Sequence, residues 1–564
     1  FGHTRLAIVD VSESGNQPMT SSGERWTIVY NGELYNTDEL RSSLGGMRLR
    51  GHSDTEVLLE VIAKFGVLET LRRARGMFGL GLWDAHEREL WLARDRFGEK
   101  PLYYYRDHSG LYFGSEVKFI ATLLGCKLEV NYDHLYRYMV NGYKALYKDG
   151  HRFFKGVSEL SPASVLSIDR FGAEKSRLYW EPEFSPDDAM TYDEAVAGVR
   201  ERLIRAVEIR LRADVPLAFC MSGGIDSNSL ISIAKRVFDY DVHGFTIVNS
   251  DARYEEQDMV DHAVSELDIR HTAIPVNVTD FLPKLRRLVR QHDAPVYTIA
   301  YYAHWLLMES IAEHGYRISV SGTAADELFS GYYDHHLAYL YEVRGEPELH
   351  AASRQAWMKR VRPIVRNPYL RDPDVFIEHP DLRDHIFLDA DSFARYLTSD
   401  WAEPFSEEQY THSLLRNRML NEMFHESIPV ILHEDDLNAM YFSIENRSPY
   451  LDRELFEFCY RIPSRHLIRD GLAKAVLRDA MRGIVPQRIL DNPRKVGFNA
   501  PIYSFLDVHD PEIRACLLDD SPIFDHVRRD KIEALIEKPN LPNSESKFLF
   551  YFLSSKMFLE EFAA

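Results

Sequence analysis

Six residues in the middle of the chain have the make-up of an anion cradle: Ser222-Gly-Gly-Ile-Asp-Ser227, directly after a hydrophobic run and directly before a helix-like one. Glycine lets a backbone come close to a ligand. The N-terminus of the following helix offers unpaired N–H groups and the positive end of a dipole. Ser222 and Ser227 add hydroxyls. The stretch has no Lys, so it is not the GxxxxGK[ST] phosphate loop. Asp226 would repel bare phosphate and makes sense as a ligand for Mg²⁺ that bridges phosphates. A glycine-rich strand-to-helix turn that binds nothing fits the same six residues.

The elements that must hold this loop are legible around it. Val215 to Met221 reads as a buried strand and Asn228 to Phe238 as a helix. Val242–Val248, His271–Pro275 and Ile318–Ser321 read as further strands, with a helix over Gln257–Leu267. Such alternation predicts a parallel sheet with helices on both faces. Upstream, Thr191-x-x-Glu194 is a capping box that opens a helix with Val196, Val199, Leu203, Val207 and Leu211 on one face. Before it, the polar, Pro-bearing stretch 181–190 reads as a linker. The front part, 1–180, carries short aromatic or β-branched strands, Trp26–Tyr30, Leu90–Arg94, Leu102–Tyr105 and Leu111–Phe113, with a helix over Thr55–Phe65. That is an α+β pattern of stacked antiparallel sheets. Beyond Tyr333 the chain reads as mainly helical.

Composition removes several function classes. The chain has 564 residues, long enough for two or more domains. No apolar run approaches the roughly 18 residues of a membrane span. A net charge of -20 opposes a broad nucleic-acid surface. Cys126, Cys220, Cys459 and Cys516 form no CxxC pair, which argues against a zinc site or disulfide framework and fits a reducing cytoplasm. All four read as packing residues. The chain opens on Phe1 in a segment that reads like the interior of a domain, so an upstream N-terminus is expected.

The Ser222 loop resembles the pyrophosphate-binding loop of the ATP pyrophosphatase group, whose members split ATP between the α and β phosphates. Further segments resemble the asparagine synthetase family. They are Ser321-Gly-Thr-Ala-Ala-Asp-Glu-Leu-Phe-Ser-Gly-Tyr332, Ile444-Glu-Asn-Arg-Ser-Pro-Tyr-Leu-Asp452, Ala473-Lys-Ala-Val-Leu-Arg478 and Arg494-Lys-Val-Gly-Phe498. In the front half, His3–Asp10, Gln17–Met19, Asn31–Asn36, Ser53–Glu56, Gly76–Phe78, Arg94–Pro101 and Ser115-Glu116 stand in family order. The resemblance spans nearly the whole chain. It implies an Ntn-hydrolase-like glutamine amidotransferase domain over 1–180 and an asparagine synthetase domain of ATP pyrophosphatase type over 191–564.

The resemblance also implies roles. Arg5 would pair with the glutamine α-carboxylate, Asn31 and the Gly32 backbone would form an oxyanion hole, and Glu33 and Asp54 would hold the α-ammonium. Turn-capping is the plain alternative for Arg5, Asn31 and Asp54. The family's nucleophile is an N-terminal Cys that lies upstream of the segment matching Phe1. ATP would contact Cys220, Ser222, Gly223, Gly224, Ser227, Ile247, Ser321 and Gly322. Asp226 and Asp326 would hold Mg²⁺ and pyrophosphate, and Lys474 would stabilise charge on the α-phosphate while a carboxylate attacks. A solvated helix lysine is the plain reading of Lys474. Lys495 is a further acceptor-pocket candidate, balanced against an ordinary surface lysine.

One departure bears on the acceptor. Where the family has Glu in a SGEGxDE pattern, this chain has Thr323, followed by Ala324. Threonine is no general base at ordinary pH. L-Aspartate remains the default acceptor. Another carboxylate, such as a sugar uronic acid of surface polysaccharides, is the alternative, with Tyr297, Tyr301, Tyr302 and Tyr332 as stacking or core aromatics. His433-Glu-Asp-Asp436 and Glu445-Asn-Arg447 also differ from the family pattern. Rivals are a β-lactam-forming synthetase, a non-catalytic scaffold and a tRNA-modifying enzyme. The oligomeric state is open, a homodimer included.

Overall fold

Fourteen strands in three sheets and a set of helices that thickens toward the C-terminus make up the computed structural model, which describes residues 1–248, 256–276, 280–387, 389–494, 502–538, 541 and 543–563. In the front half the strands are β1 (Met19–Thr20), β2 (Trp26–Leu34), β3 (Gly76–Asp84), β4 (Glu89–Arg94), β5 (Tyr103–Arg106), β6 (Leu111–Gly114), β7 (Val157–Glu159), β8 (Ser164–Ile168) and β9 (Glu174–Leu178). In the rear half they are β10 (Leu217–Cys220), β11 (His243–Val248), β12 (Arg270–Pro275), β13 (Ile318–Val320) and β14 (Glu445–Arg447).

The front strands form an antiparallel sheet in the order β1-β2-β3-β4-β8-β9 and a smaller antiparallel one in the order β6-β5-β7. Side chains alternate across a strand, and here the alternation builds two layers. Trp91, Ala93 and Val165 join the helix Asp54–Phe65 on the outer face. Leu90, Leu92, Leu166 and Ile168 meet Tyr104, Leu111 and Phe113 of the smaller sheet. The other side of that sheet, through Tyr103 and Val157, enters a core shared with rear-half residues such as Leu285, Tyr297 and Phe558. Central β2 and β3 run side by side for nine pairs, Trp26↔Asp84 to Leu34↔Gly76. A Cβ on Gly32 would lie 2.1 Å from the Met77 carbonyl oxygen, so the strand needs glycine there.

The rear sheet is parallel, ordered β12-β11-β10-β13-β14. Leu217 and Phe219 face the helices Tyr192–Arg210 and Ile225–Arg236, whereas Ala218 and Cys220 face the helices Ile299–Glu313 and Ile428–Tyr441. Each large side chain buried this way is worth about 1.5–3 kcal/mol of transfer free energy. Both faces are covered, as a parallel sheet requires. Because β11 and β12 lie on one side of β10 and β13 on the other, the strand order reverses between β10 and β13. Ligands of open α/β sheets bind in the crevice at such a point, beyond the carboxyl ends of the strands.

The sequence reading meets the structure closely where periodicity is strong. The helix Gln257–Leu267 coincides with its expected range. The capping box at Thr191 and Glu194 forms in both directions. The helix after the Ser222 loop begins at Ile225, three residues early, because Gly224 already serves as its N-cap. In the helical part beyond Tyr333, β14 is a strand that no apolar pattern announces: three polar residues pair with β13 alone. Stretch 181–190 carries neither helix nor strand. No helix among the described residues is long and apolar enough to cross a membrane.

Candidate active site

The crevice between the ends of β10 and β13 gathers most of the residues singled out in the rear half. After β10 the Ser222 loop is braced by its own side chains. Ser227 Oγ accepts from the Ser222 N–H at 3.1 Å, and Ser222 Oγ accepts from the Gly224 N–H at 3.2 Å. Asn228 Nδ2 donates to the carbonyls of Ser222 (2.8 Å) and Gly224 (2.7 Å). Ser227 is therefore a strut of the loop. After β13, a Cβ on Gly322 would sit 3.1 Å from the Ser227 nitrogen, so the second loop lies against the first. Cys220 ends β10 and Ile247 lies near the end of β11.

Two carboxylates converge on one ammonium. Lys474 Nζ is 2.7 Å from both oxygens of Asp226 and 2.6 Å from Asp326. The lysine is 4% exposed and holds a left-handed backbone, φ 59°, ahead of the helix Ala475–Ala480. It is thus no solvated helix lysine. Gly331 makes room for the pair, since a Cβ there would stand 1.7 Å from Asp326 Oδ1 and 2.4 Å from Lys474 Cε. Two oxygen donors of one charge sign, aimed at one point beside a backbone cradle, suit a hard divalent ion such as Mg²⁺; the ammonium marks where positive charge belongs.

Ser222, Gly223, Gly224, Asp226, Gly331 and Lys474 line a cavity of about 130 Å³. Ligand pockets run from about 300 Å³ upward, so this space suits the diphosphate end of a nucleotide. Sequence reasoning missed several groups on its wall: His336, Arg360, Arg478 and Arg494. Arg478 closes the quoted Lys474 segment and so had a signal; Arg360, at the end of the helix Pro347–Arg360, had none. Burial pushes His336 down to about 3, helped by His335, so it faces the cavity as a neutral ring.

Thr323 lies one step further along the crevice. Its Oγ1 is 3.1 Å from Ser321 Oγ. Lys495 lies outside the described residues. Of the four tyrosines, Tyr297 and Tyr302 are core aromatics, 1% and 0% exposed, because each is enclosed by other rings. Tyr332 donates to Glu327 at 2.5 Å. Burial lifts the Cys220 thiol far above its ordinary range and the Cys459 thiol to about 12, which leaves neither as a nucleophile. The cluster Asp334, His335 and Glu422 has metal-like spacing, but Glu422 pairs with His335 at 2.6 Å and with Lys144 and Arg418 at 3.5 and 3.6 Å, an ion network rather than a metal centre.

In the front half Asn31 and Glu33 share a face of β2. Asn31 Nδ2 donates to Ser115 Oγ at 3.1 Å. Asp54 accepts from the N–H groups of Leu34 (3.0 Å) and Thr55 (2.7 Å), yet burial holds its carboxyl up at about 6, the position of a group short of a counter-ion. Glu33 meets the rear half. Its carboxyl faces Arg447 of the rear half at 3.5 Å and is 7% exposed; burial and Asp54 push it well above the usual carboxylate range, with Arg447 opposing. Arg5 braces the loop after it: Nη1 donates to the Ser12 carbonyl at 2.7 Å and Nη2 to the Asp10 carbonyl.

The family model of asparagine synthase matches residues 198–560, and that of the glutamine amidotransferase domain matches residues 1–180.

This chain belongs to the asparagine synthase family.

It is an ATP-dependent ligase that forms amides, as that membership entails. Asparagine synthetase [glutamine-hydrolyzing] 1 of Bacillus subtilis (strain 168) is 28% identical over 95% of this chain and 85% of its own length. Asparagine synthetase [glutamine-hydrolyzing] 3 of the same organism is 29% identical over 87% of this chain and 78% of its own. Amidase chyE of Penicillium rubens is 26% identical over 88% and 80%. The glutamine phosphoribosylpyrophosphate amidotransferase of B. subtilis overlays 50% of this chain and 77% of its own at 13% identity, with a TM-score of 0.25, too loose to bear on the fold.

Proposed function

We propose that this asparagine synthase-family enzyme adenylates a substrate carboxylate with ATP and converts it to an amide with nitrogen from glutamine. The observation that carries this reading is Lys474 clasped between Asp226 and Asp326 at the wall of the Ser222–Asp226 cavity. A carboxylate oxygen attacks the α-phosphorus, the Pα–O–Pβ bond breaks, and diphosphate leaves. The loop amides of Gly223 and Gly224, with Arg360, Arg478 and Arg494, receive the diphosphate. Lys474 meets the charge that grows on the α-phosphate, a form of stabilisation commonly worth several kcal/mol in a water-poor site. Asp226 and Asp326 would hold Mg²⁺, which would neutralise phosphate charge. Ammonia then attacks the acyl carbon and AMP departs. Cys220, Ile247, Ser321 and Gly322 face the adenosine side.

In the front half, over 1–180, Asn31 and the Gly32 backbone receive the developing oxyanion of glutamine hydrolysis, and Asp54 takes the α-ammonium. A cation beside Asp54 supplies the counter-charge that its raised carboxyl lacks. Stretch 181–190 links this domain to the synthetase domain over 191–564. The default acceptor is L-aspartate, giving L-asparagine. Thr323 in place of a carboxylate favours a second reading, in which the acceptor is another acid such as a sugar uronate.

Diphosphate release from Mg·ATP in the presence of ammonium and either L-aspartate or glucuronate tests the proposal. Release with aspartate supports the default acceptor, and release with glucuronate alone supports the second. A purified protein that binds no ATP and frees no diphosphate with any acid overturns both.

A further inference from the structure

A second cavity, of about 520 Å³, lies where the two halves and the stretch between them meet. Its walls include Phe97 and Trp180 of the front half, Pro182 of the linking stretch, and Tyr410 and Phe424 of the rear half. It shares no lining residue with the diphosphate cavity. Its volume is ordinary for a small-molecule site, and such sites favour domain junctions. The Trp180 ring stands 5.7 Å from that of Phe97 and 6.3 Å from that of Phe424, so one aromatic wall joins both halves. Phe424 and His425 reach it from a π-helical turn, Glu422–Glu426, set between the helices Leu414–Asn421 and Ile428–Tyr441. Such turns are rare and recur at functional sites. His425 is held on both sides. The Tyr147 carbonyl can only accept, so Nδ1 (3.4 Å) carries the ring proton, and Nε2 accepts from the Tyr410 hydroxyl at 2.8 Å.

The charge on these walls is uneven. Arg94 and Arg152 share one carboxylate, Glu159, at 2.7 and 2.6 Å. Arg96, also on the wall and 3% exposed, donates to the carbonyls of Leu71, Arg72 and Ala74. Among the described residues no carboxylate pairs with Arg96, and its Nε is buried without a hydrogen-bond partner. Lys148 meets Glu426 at 2.7 Å, a carboxylate that Arg418 also holds, at 3.0 and 2.7 Å. Of the other acids on the wall, Asp149 is matched by Arg137 at 3.0 Å, and Glu181 is exposed, where water screens it. Surplus positive charge beside aromatic faces favours a ligand that is both flat and anionic. We propose that this cavity is a second ligand site, for a small organic anion built on a flat ring. The ring packs against Trp180, Tyr410 and Phe424, and the acidic group answers Lys148 and the arginines. Aromatic carboxylates, sulfonates and phosphate esters share that chemistry. The ligand touches both halves and Pro182 between them, so its binding ties them together.

The probe is naphthalenesulfonate, a flat ring with one fixed negative charge, and naphthylmethanol, the same ring without the charge, is its control. Calorimetric titration of the full chain should show one sulfonate per chain with a dissociation constant below about 100 μM. The alcohol should bind about tenfold more weakly or worse, the scale of a hydrogen bond to a charged group. The sulfonate should raise the melting temperature, and saturating Mg·ATP should not displace it. Lys148→Gln leaves Glu426 with Arg418; it should weaken the sulfonate about tenfold and leave the alcohol unchanged. Ser161→Trp sets a large side chain on an exposed lining position and should abolish binding of both. Thermal melts of the two variants check folding; where one fails to fold, the other and the comparison of sulfonate with alcohol decide. No binding, equal binding of sulfonate and alcohol, or displacement by Mg·ATP overturns the inference. Full binding by Ser161→Trp, or an unchanged sulfonate affinity in Lys148→Gln, overturns it as well.

Discussion

At Lys474 a single charge balances two. Without it, Asp226 and Asp326 face one another across a narrow gap that Gly331 keeps open. Lys474→Ala is expected to lower diphosphate release by about 100-fold or more, the scale on which one electrostatic contact to a transition state acts. Lys474→Arg should not rescue it, because a planar fork has no space in a position 4% exposed. A melting series checks the second half of the argument. Mg²⁺ should raise the melting temperature of Lys474→Ala more than that of the unaltered protein, since the divalent ion then replaces the missing ammonium between the aspartates.

Among elements, the two front sheets are held together by charge as well as by their leucines. Glu159 of β7 lies 2.7 Å from Arg94 of β4 and 2.6 Å from Arg152. Burial pushes the Glu159 carboxyl up, but the two guanidiniums more than offset this and hold it at about 2. Since the folded value lies below the ordinary carboxylate value, the stabilisation is complete above about 4.5 and fades as pH falls toward 2. Glu159→Gln should therefore lower the urea midpoint at pH 6 by an amount equivalent to about 3–5 kcal/mol, the cost of stranding a buried partner. Its deficit should shrink as the titration moves below about pH 4.5. An equal deficit at pH 6 and pH 3 would show that packing, and not the ion pair, joins the sheets.

Across the whole molecule the two halves are bound by a run of buried charges. Glu33 of β2 meets Arg447 of β14; Arg447 also holds Glu445 at 2.8 Å and the carbonyls of Arg210 and Arg212, both at 2.8 Å. Lys100 joins Asp436, while Arg75 and Arg210 share Asp452. Arg447→Met leaves Glu445 without its counter-charge and Glu33 without the cation that opposes its burial. It is expected to cost about 3–5 kcal/mol in urea unfolding. Arg447→Met with Glu33→Gln should recover part of that loss, because the second change removes a carboxyl whose charged form burial already disfavours. No recovery would mean that the arginine acts through β14 alone.

Reading the chain as letters was enough for whatever depends on local order. The strand, the Ser222 loop and the helix are contiguous, so their hydrophobic period and small residues announce them together. Asp226, Asp326 and Lys474, which the fold brings into contact, each sit in a short ordered segment. What stayed hidden depends on residues far apart in the chain meeting in space. Arg360 reaches the diphosphate cavity from an unremarkable helix end, and β14 becomes a strand because β13 offers it a partner. Glu33 lies 3.5 Å from Arg447, far along the chain, a meeting that no local pattern announces. Glu434, Asp435 and Asp436 are three acids in a row; only the folded helix sends them to His292, His304 and Lys100 in turn. Burial and long-range charge are properties of the folded chain, and no window along a sequence contains them.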